Sequence, residues 1–359
     1  MRQVNLAISS LTHAHVRKYY ATLNDNKKIN WVAVSAADET AAANFKTYGY
    51  DIPMYMSTEE MLKAHPEIDG VIIASENYRH FADMELCCKY RKNILSMKIP
   101  TFDLDEYDRM IKLVDDAGVI CQVELEMHYN PSCRKTLELV QSGMIGDVIS
   151  FNATNITLSP VWAFPWQGDP EISYGKRIPL KPGDARCRGG ALSDHPHIFD
   201  MLRWVTKSDY DYVFSDVANN IRDIQEEDVL YVTGRMKNGC KFMLDPSWSR
   251  LEEKIPLPGP GWEVFPKRME VNFSIVGTEG VIQADCFGPN VYFNGGPNNR
   301  YTVQYTYFDE WIGLMDEFHD CIIHHRQPKI NLKWHRQTVE AMVRCYESIA
   351  CGKPVYMNK

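Results

Sequence analysis

The chain has 359 residues, 45% hydrophobic and 24% charged, with 39 Lys and Arg against 47 Asp and Glu for a formal charge of −8. A chain this long buries a core large enough to fold without disulfide or metal staples, and its acidic balance argues against a nucleic-acid binder, the one short basic run, Lys89-Tyr90-Arg91-Lys92, reading as a solvated helix end. The ten cysteines include an adjacent pair, Cys87-Cys88, but no C-x-x-C spacing, so reduced buried thiols are expected rather than a disulfide framework.

The opening MRQVNLAISS lacks an apolar h-region and no run approaches membrane-spanning length, so a cytoplasmic protein with no membrane segment is expected. Gln3–Ser9 is a short apolar run, His13–Leu23 has helical spacing, and Ile29–Ser35 is a second β-rich run. Ala41–Tyr48 and Thr58–Ala64 read as helices. Gly70–Ser75 is apolar on both faces, as a buried parallel strand is. Helix-like His80–Tyr90 and Leu104–Ala117 then alternate with strand-like Asn93–Met97 and Val119–Glu124. Repeated β-α-β units predict a doubly wound parallel sheet over residues 1–123, with ligands at the carboxyl ends of its strands.

From residue 124 the pattern changes. Pro131–Ser142 reads as a helix, Asp147–Ile156 as a strand, and Ser159–Gly190 as an aromatic loop holding Trp162, Phe164, Trp166 and Tyr174. Asp194–Val205 has helical spacing. Five strands follow, Tyr212–Ile221, Asp228–Met236, Cys240–Ser247, Arg268–Val276 and Gly280–Asp285, some joined by turns that favour antiparallel pairing. Helices Asp309–His324 and Lys333–Cys351 complete a mostly antiparallel α+β domain over 124–359.

A dinucleotide-binding turn wants G-x-G-x-x-G after the first strand. This chain has Ser9-Ser10-Leu11-Thr12-His13-Ala14, with no glycine, so Ser9, Ser10, Thr12 and His13 are the candidate phosphate contacts. After the second strand an acid should hold the adenosine ribose. Asp38 or Glu39 is the candidate, and the bland alternative for either is a helix N-cap or first-turn charge. With no Lys or Arg beside it for a 2′-phosphate, NAD is favoured over NADP.

Further motifs occur in a recognisable order. Val71-Ile72-Ile73-Ala74-Ser75-Glu76-Asn77-Tyr78-Arg79-His80 is similar to a "VVIATPNxxH" strand and turn, and Met97-Lys98-Ile99-Pro100 stands where Glu-Lys-Pro ends the next strand. Ser142–Val148 resembles "SGxIGxV", Gly189–Asp200 resembles "GGxLxDxGxHxxD", and Gly277-Thr278-Glu279-Gly280 and Gly352-Lys353-Pro354-Val355 also fit. Taken together they resemble the glucose–fructose oxidoreductase, inositol dehydrogenase and rhizopine catabolism family, Gfo/Idh/MocA, nearly end to end.

The resemblance implies an NAD(P)-dependent dehydrogenase with a Rossmann-type first domain, acting on a hydroxyl carbon of a sugar, polyol or glycoside. It assigns Lys98 as the family lysine, His197 as the acid/base and Asp194 as its aspartate. Ser75, Asn77 and His80 fall in the turn that borders the nicotinamide. Hydride leaves a carbinol carbon only when a base takes the hydroxyl proton, and a cation beside the oxygen stabilises the developing alkoxide. His197 and Lys98 suit those tasks. The Asp194-to-His197 spacing is one residue shorter than the family pattern, which leaves open whether His195 or His197 faces substrate.

His195, Trp162, Trp166 and Tyr129 are the candidate substrate contacts. The bland readings are a solvated Lys98, packed or capping histidines, Asp194 as an N-cap and an aromatic loop that is only packed. His195, His197 and Asp200 with Glu124 or His128 would make a metal set, but such spacings are common and no metal is expected. Two other functions fit the same residues: an NAD-dependent glycoside hydrolase or lyase working through transient oxidation, and a non-catalytic ligand sensor. The strand-rich second domain has too few helices to cover both faces of its sheet, so a homodimer or tetramer is expected.

Overall fold

The computed structural model describes residues 2–13, 15, 16, 18, 19, 26–157, 190–218, 221, 227–250, 269–288, 290–305 and 309–357. The expected contacts Trp162 and Trp166 lie outside these residues, as does most of the expected helix His13–Leu23, of which Val16, Lys18 and Tyr19 are helical. The chain forms two compact units, residues 1–126 with 311–336, and residues 127–310 with 337–359. This differs from a single cut between 123 and 124, because residues 311–336 return to the first unit. There Gln122 donates to the Leu314 carbonyl at 3.0 Å and pairs with Asn331 as an isolated bridge.

The first unit is a six-stranded parallel sheet in the order β3-β2-β1-β4-β5-β6. Its strands are β1 (Val4–Ser9), β2 (Ile29–Ser35), β3 (Met54–Tyr55), β4 (Gly70–Ile73), β5 (Asn93–Ser96) and β6 (Cys121–Val123). Every residue of β4 is buried, as a strand covered on both faces requires. Between them run α1 (Glu39–Lys46), α2 (Thr58–Ala64), α3 (His80–Lys89) and α4 (Leu104–Ala117). Helix α4 shows how the sequence sets its bounds. Asp103 accepts the Glu106 amide at its start, Gly118 closes it in the left-handed conformation, and Tyr107, Met110 and Val114 form the buried stripe.

The second unit holds a nine-stranded mixed sheet, β14-β13-β12-β11-β7-β10-β9-β8-β15. Its strands are β7 (Val148–Ile156), β8 (Tyr210–Ala218), β9 (Val229–Met236), β10 (Lys241–Asp245), β11 (Glu270–Gly277), β12 (Val281–Asp285), β13 (Asn290–Asn294), β14 (Arg300–Gln304) and β15 (Val355–Tyr356). All pairs are antiparallel except β7 with β10. Strands β13, β14 and β15 carry too little apolar alternation to be read from sequence. Helices α5 (Pro131–Gln141), α6 (Ala191–Asp194) and α7 (Pro196–Thr206) belong to this unit, while α8 (Glu310–His324) and α9 (Leu332–Cys351) carry the chain between the units.

Two of the sequence motifs prove to be one structural joint. Gly146, at φ +66°, sits where a Cβ would fall 2.2 Å from the Thr278 hydroxyl. That hydroxyl accepts the Asp147 amide at 3.0 Å, and the Glu279 amide donates to the Ile145 carbonyl at 2.9 Å.

Candidate active site

In the first unit the site residues gather at the carboxyl edge of the sheet, where doubly wound folds place their ligands. The turn after β1 has Ser10 and Leu11 in the left-handed region, at φ 70° and 57°. Its amides are spent inside the protein. Ser10 N donates to Ser35 Oγ at 3.4 Å, Leu11 N to the Ser9 carbonyl at 2.9 Å, and Thr12 N and His13 N to the Ala74 carbonyl at 3.1 and 3.0 Å. The Thr12 hydroxyl also donates to Ala74, at 3.1 Å, and the Ser9 hydroxyl to Ile72, at 3.4 Å. Of the expected contacts, Ser9, Ser10 and His13 are buried and Thr12 is half-buried, and this turn is bonded to the ends of β2 and β4.

Asp38 is the helix N-cap that its bland reading expects. One carboxylate oxygen caps α1 by accepting the Ala41 amide at 2.8 Å, on an exposed side chain at the end of β2. The other oxygen is not needed for the cap.

The turn after β4 is a brace. The Ser75 hydroxyl donates to Asp83 at 2.5 Å, and burial pushes the Asp83 carboxyl above its usual range. The Asn77 amide donates to the Ile99 carbonyl. His80 is fully buried, with its ring nitrogens 3.1 Å from the Pro100 carbonyl and 3.0 Å from the Ser75 carbonyl. Burial pulls the His80 imidazole down to about 4, so it is neutral at physiological pH. The Ser75 hydroxyl is thus tied to α3, while the His80 ring lies between the Ser75 carbonyl and Pro100 in the segment after Lys98.

Lys98, 9% exposed, ends β5 beside a cluster that the sequence reading did not assemble. Glu124, wholly buried, accepts His15 Nδ1 at 2.6 Å and the Tyr19 hydroxyl at 2.6 Å. Glu126 follows two residues on. Burial first, and the Glu124 charge second, push its carboxyl up to about 7, against the opposing pull of His15 and Lys98. Burial and the same carboxylate raise the Tyr19 phenol well above its ordinary value. Glu126 therefore gives this buried cluster a carboxyl able to exchange protons near neutrality.

In the second unit, Asp194 is the last residue of α6 and not the cap of α7, whose N-cap position is His195. Asp194 accepts the Trp248 indole N–H at 3.0 Å. His195, 3% exposed, donates from Nδ1 to the Pro246 carbonyl at 2.7 Å and meets the Thr157 hydroxyl at 3.1 Å through Nε2. Its ring is held at both ends, as a structural imidazole is. His197 is buried on the first turn of α7.

One helical turn beyond His197, Asp200 accepts His128 Nε2 at 2.5 Å and the Thr338 hydroxyl at 2.7 Å, so these residues form a buried polar joint. Tyr129 is half-buried on the 3₁₀ turn Glu126–Tyr129. Among the described residues no group of three or more His, Cys, Asp or Glu side chains is placed to hold a metal ion.

Residues 11–125 match the oxidoreductase family with an NAD-binding Rossmann fold, and residues 133–283 match the GFO/IDH/MocA C-terminal domain. The chain belongs to the GFO/IDH/MocA oxidoreductase family. Within that family it is 24% identical over 227 residues to the uncharacterized oxidoreductase YrbE of Bacillus subtilis, covering 61% of each chain. It is 25% identical over 198 residues to the myo-inositol 2-dehydrogenase of Thermotoga maritima, covering 54% of this chain and 53% of that one. The matched stretches thus span less than two thirds of these relatives' length.

The fold match is fuller. An oxidoreductase from Agrobacterium radiobacter, solved with NAD+, L-tartaric acid and magnesium, superposes with a TM-score of 0.79 at 17% identity over 99% of this chain and 98% of its own.

Asp38, exposed at the end of β2 with a carboxylate oxygen beyond its cap, suits the ribose of an NAD-type dinucleotide. The turn amides do not supply its phosphate contacts in this conformation.

Proposed function

We propose that this family member is an NAD-dependent dehydrogenase acting on a hydroxyl carbon of a sugar or polyol. The observation that carries the reading is Lys98, buried at the carboxyl end of β5 in a sheet with dinucleotide-binding strand order. A bound nicotinamide supplies the hydride acceptor. Asp38 holds the adenosine ribose, and Asn77 keeps the Lys98 segment in register through Ile99. Lys98 stabilises the alkoxide as the substrate hydroxyl loses its proton, and the His197 imidazole holds that proton. Asp194 orients the start of α7 through Trp248. The myo-inositol 2-dehydrogenase relative supports a polyol substrate class.

Titration with NAD, NADH and their 2′-phosphorylated forms, followed by a sugar and polyol panel read as NADH release, tests the reading. Binding of the unphosphorylated pair and turnover of a panel member are expected. No binding of any of the four at millimolar concentration overturns it.

The same proposal includes a second copy of the chain on the open face of the nine-stranded sheet. Tyr231, Met243 and Tyr292 are each 45–49% exposed there, on β9, β10 and β13, and each lies between two buried neighbours in its strand. Solvent-exposed aromatic and thioether groups at such positions suit burial against a like surface.

A further inference from the structure

The turn after β1 keeps its amides from Ser10 to His13 on acceptors within the protein, so they are not available to a diphosphate while the turn holds this shape. The next polar group along the chain is His15. Its Nδ1 donates to Glu124 at 2.6 Å, and its ring stands edge-on to His13, with centroids 4.5 Å apart, and to Trp311, at 4.9 Å. The His15 side chain is 25% exposed, and among the described residues its Nε2 has no hydrogen-bond partner. The backbone is fixed as well, since the His15 amide donates to His13 Nδ1 at 3.1 Å.

We propose that His15, braced by Glu124, binds the diphosphate of the dinucleotide in place of the missing glycine-turn contacts, and takes up a proton to do so. This rests on the reading of the first unit as an NAD site. The proton requirement follows from the ring. With the Nδ1 proton committed to Glu124, a neutral His15 carries a lone pair on Nε2, which repels a phosphate oxygen. A proton from solvent converts Nε2 into a charged donor, the kind that binds phosphate strongly. The buried carboxylate behind the ring fixes its orientation, as carboxylate partners do for metal-binding histidines.

The charged and titratable groups around it are His13 on the turn, Tyr19 sharing Glu124, Glu126 beyond β6 and Lys98 beyond β5. Because the bound state carries one more proton than the free protein, binding weakens as pH rises.

Calorimetry of the wild-type protein with ADP-ribose, NADH and adenosine, in buffers of different ionisation enthalpy, tests this. ADP-ribose and NADH should bind with proton uptake, and adenosine without it. Affinity for ADP-ribose should fall several-fold between pH 6.5 and 8.5. His15→Gln should bind it about tenfold or more weakly at the lower pH, the scale of a lost charged hydrogen bond, and with a flat pH profile. Glu126→Gln should keep the wild-type slope, which separates the ring from its acidic neighbour.

Binding of ADP-ribose without proton uptake, or a His15→Gln protein that keeps wild-type affinity and slope, overturns the role of His15 and leaves the NAD site standing. A wild-type protein that binds neither ADP-ribose nor NADH overturns both. The proton-uptake measurement needs no variant, so a poorly folded His15→Gln protein leaves the test intact.

Discussion

At the residue scale, two buried groups set opposing pH dependences on stability. His80 is held neutral with its imidazole near 4, so the folded state binds fewer protons there than the unfolded chain. Its contribution is complete above the ordinary histidine value of 6.5 and is lost as pH falls toward 4. Glu126 has the opposite sign. Its folded carboxyl lies near 7 against an ordinary 4.5, so stability falls as pH rises across that interval. Between about 4.5 and 6.5 the two offset each other, and the wild-type melting temperature should change little there. Glu126→Gln should expose the His80 dependence, with a melting temperature that rises from pH 4.5 to 6.5; a flat profile in the variant contradicts the assignment.

The catalytic roles are tested at the same scale. Lys98→Met should retain NAD affinity and lose on the order of 10²-fold or more in turnover, and His197→Ala should do likewise. His195→Ala, whose ring is tied to Pro246 and Thr157, should lower stability more than turnover at its permissive temperature. A larger turnover loss than at His197 would move the base to His195.

At the element scale, helix starts carry both structure and function. Asp38→Ser preserves a capping oxygen for α1 but removes the carboxylate. The melting temperature should stay close to the parent while affinity for NADH falls and the preference over NADPH narrows. Asp38→Ala should in addition cost about 0.5–2 kcal/mol, the range for a lost N-cap, measurable by urea unfolding.

The start of α6 is constrained by contact. A Cβ on Gly190 would lie 2.4 Å from the Glu227 carboxyl carbon, and Glu227 is pinned there by the Leu192 amide at 3.2 Å and the Tyr346 hydroxyl at 2.8 Å. Gly190→Ala should therefore destabilise by about 1–3 kcal/mol, the usual scale of overpacking. Adding Glu227→Ala should recover part of that loss, because the clash and the lost bonds are coupled. Additive losses would show that Glu227 swings clear on its own.

At the scale of the whole molecule, the open face of the nine-stranded sheet is the feature with a consequence in solution. Light scattering should give a multiple of 41.4 kDa, and Tyr231→Glu with Met243→Glu should shift the protein toward the monomer without changing the circular dichroism of either unit. A wild-type monomer at working concentration contradicts the proposal. Among the described residues no helix is long and apolar enough to cross a membrane.

The parallel sheet was legible because its signals are local: β4 is apolar throughout, and α4 carries its cap, stripe and closing glycine within sixteen residues. The Lys98 and His197 positions were legible only through ordered motifs. Short strands such as β15, and the return of residues 311–336 to the first unit, depend on partners far along the chain.

The sequence alone determined the two kinds of sheet, most helix boundaries and the absence of a glycine turn, since periodicity, caps and residue type act within a few positions. Only the tertiary structure decided what the polar residues do. Whether a histidine is a brace, like His80 and His195, or a partly exposed ring like His15 depends on which carbonyl or carboxylate lies within 3 Å. Glu124 is 109 residues from His15 in the chain, a separation that no local pattern encodes.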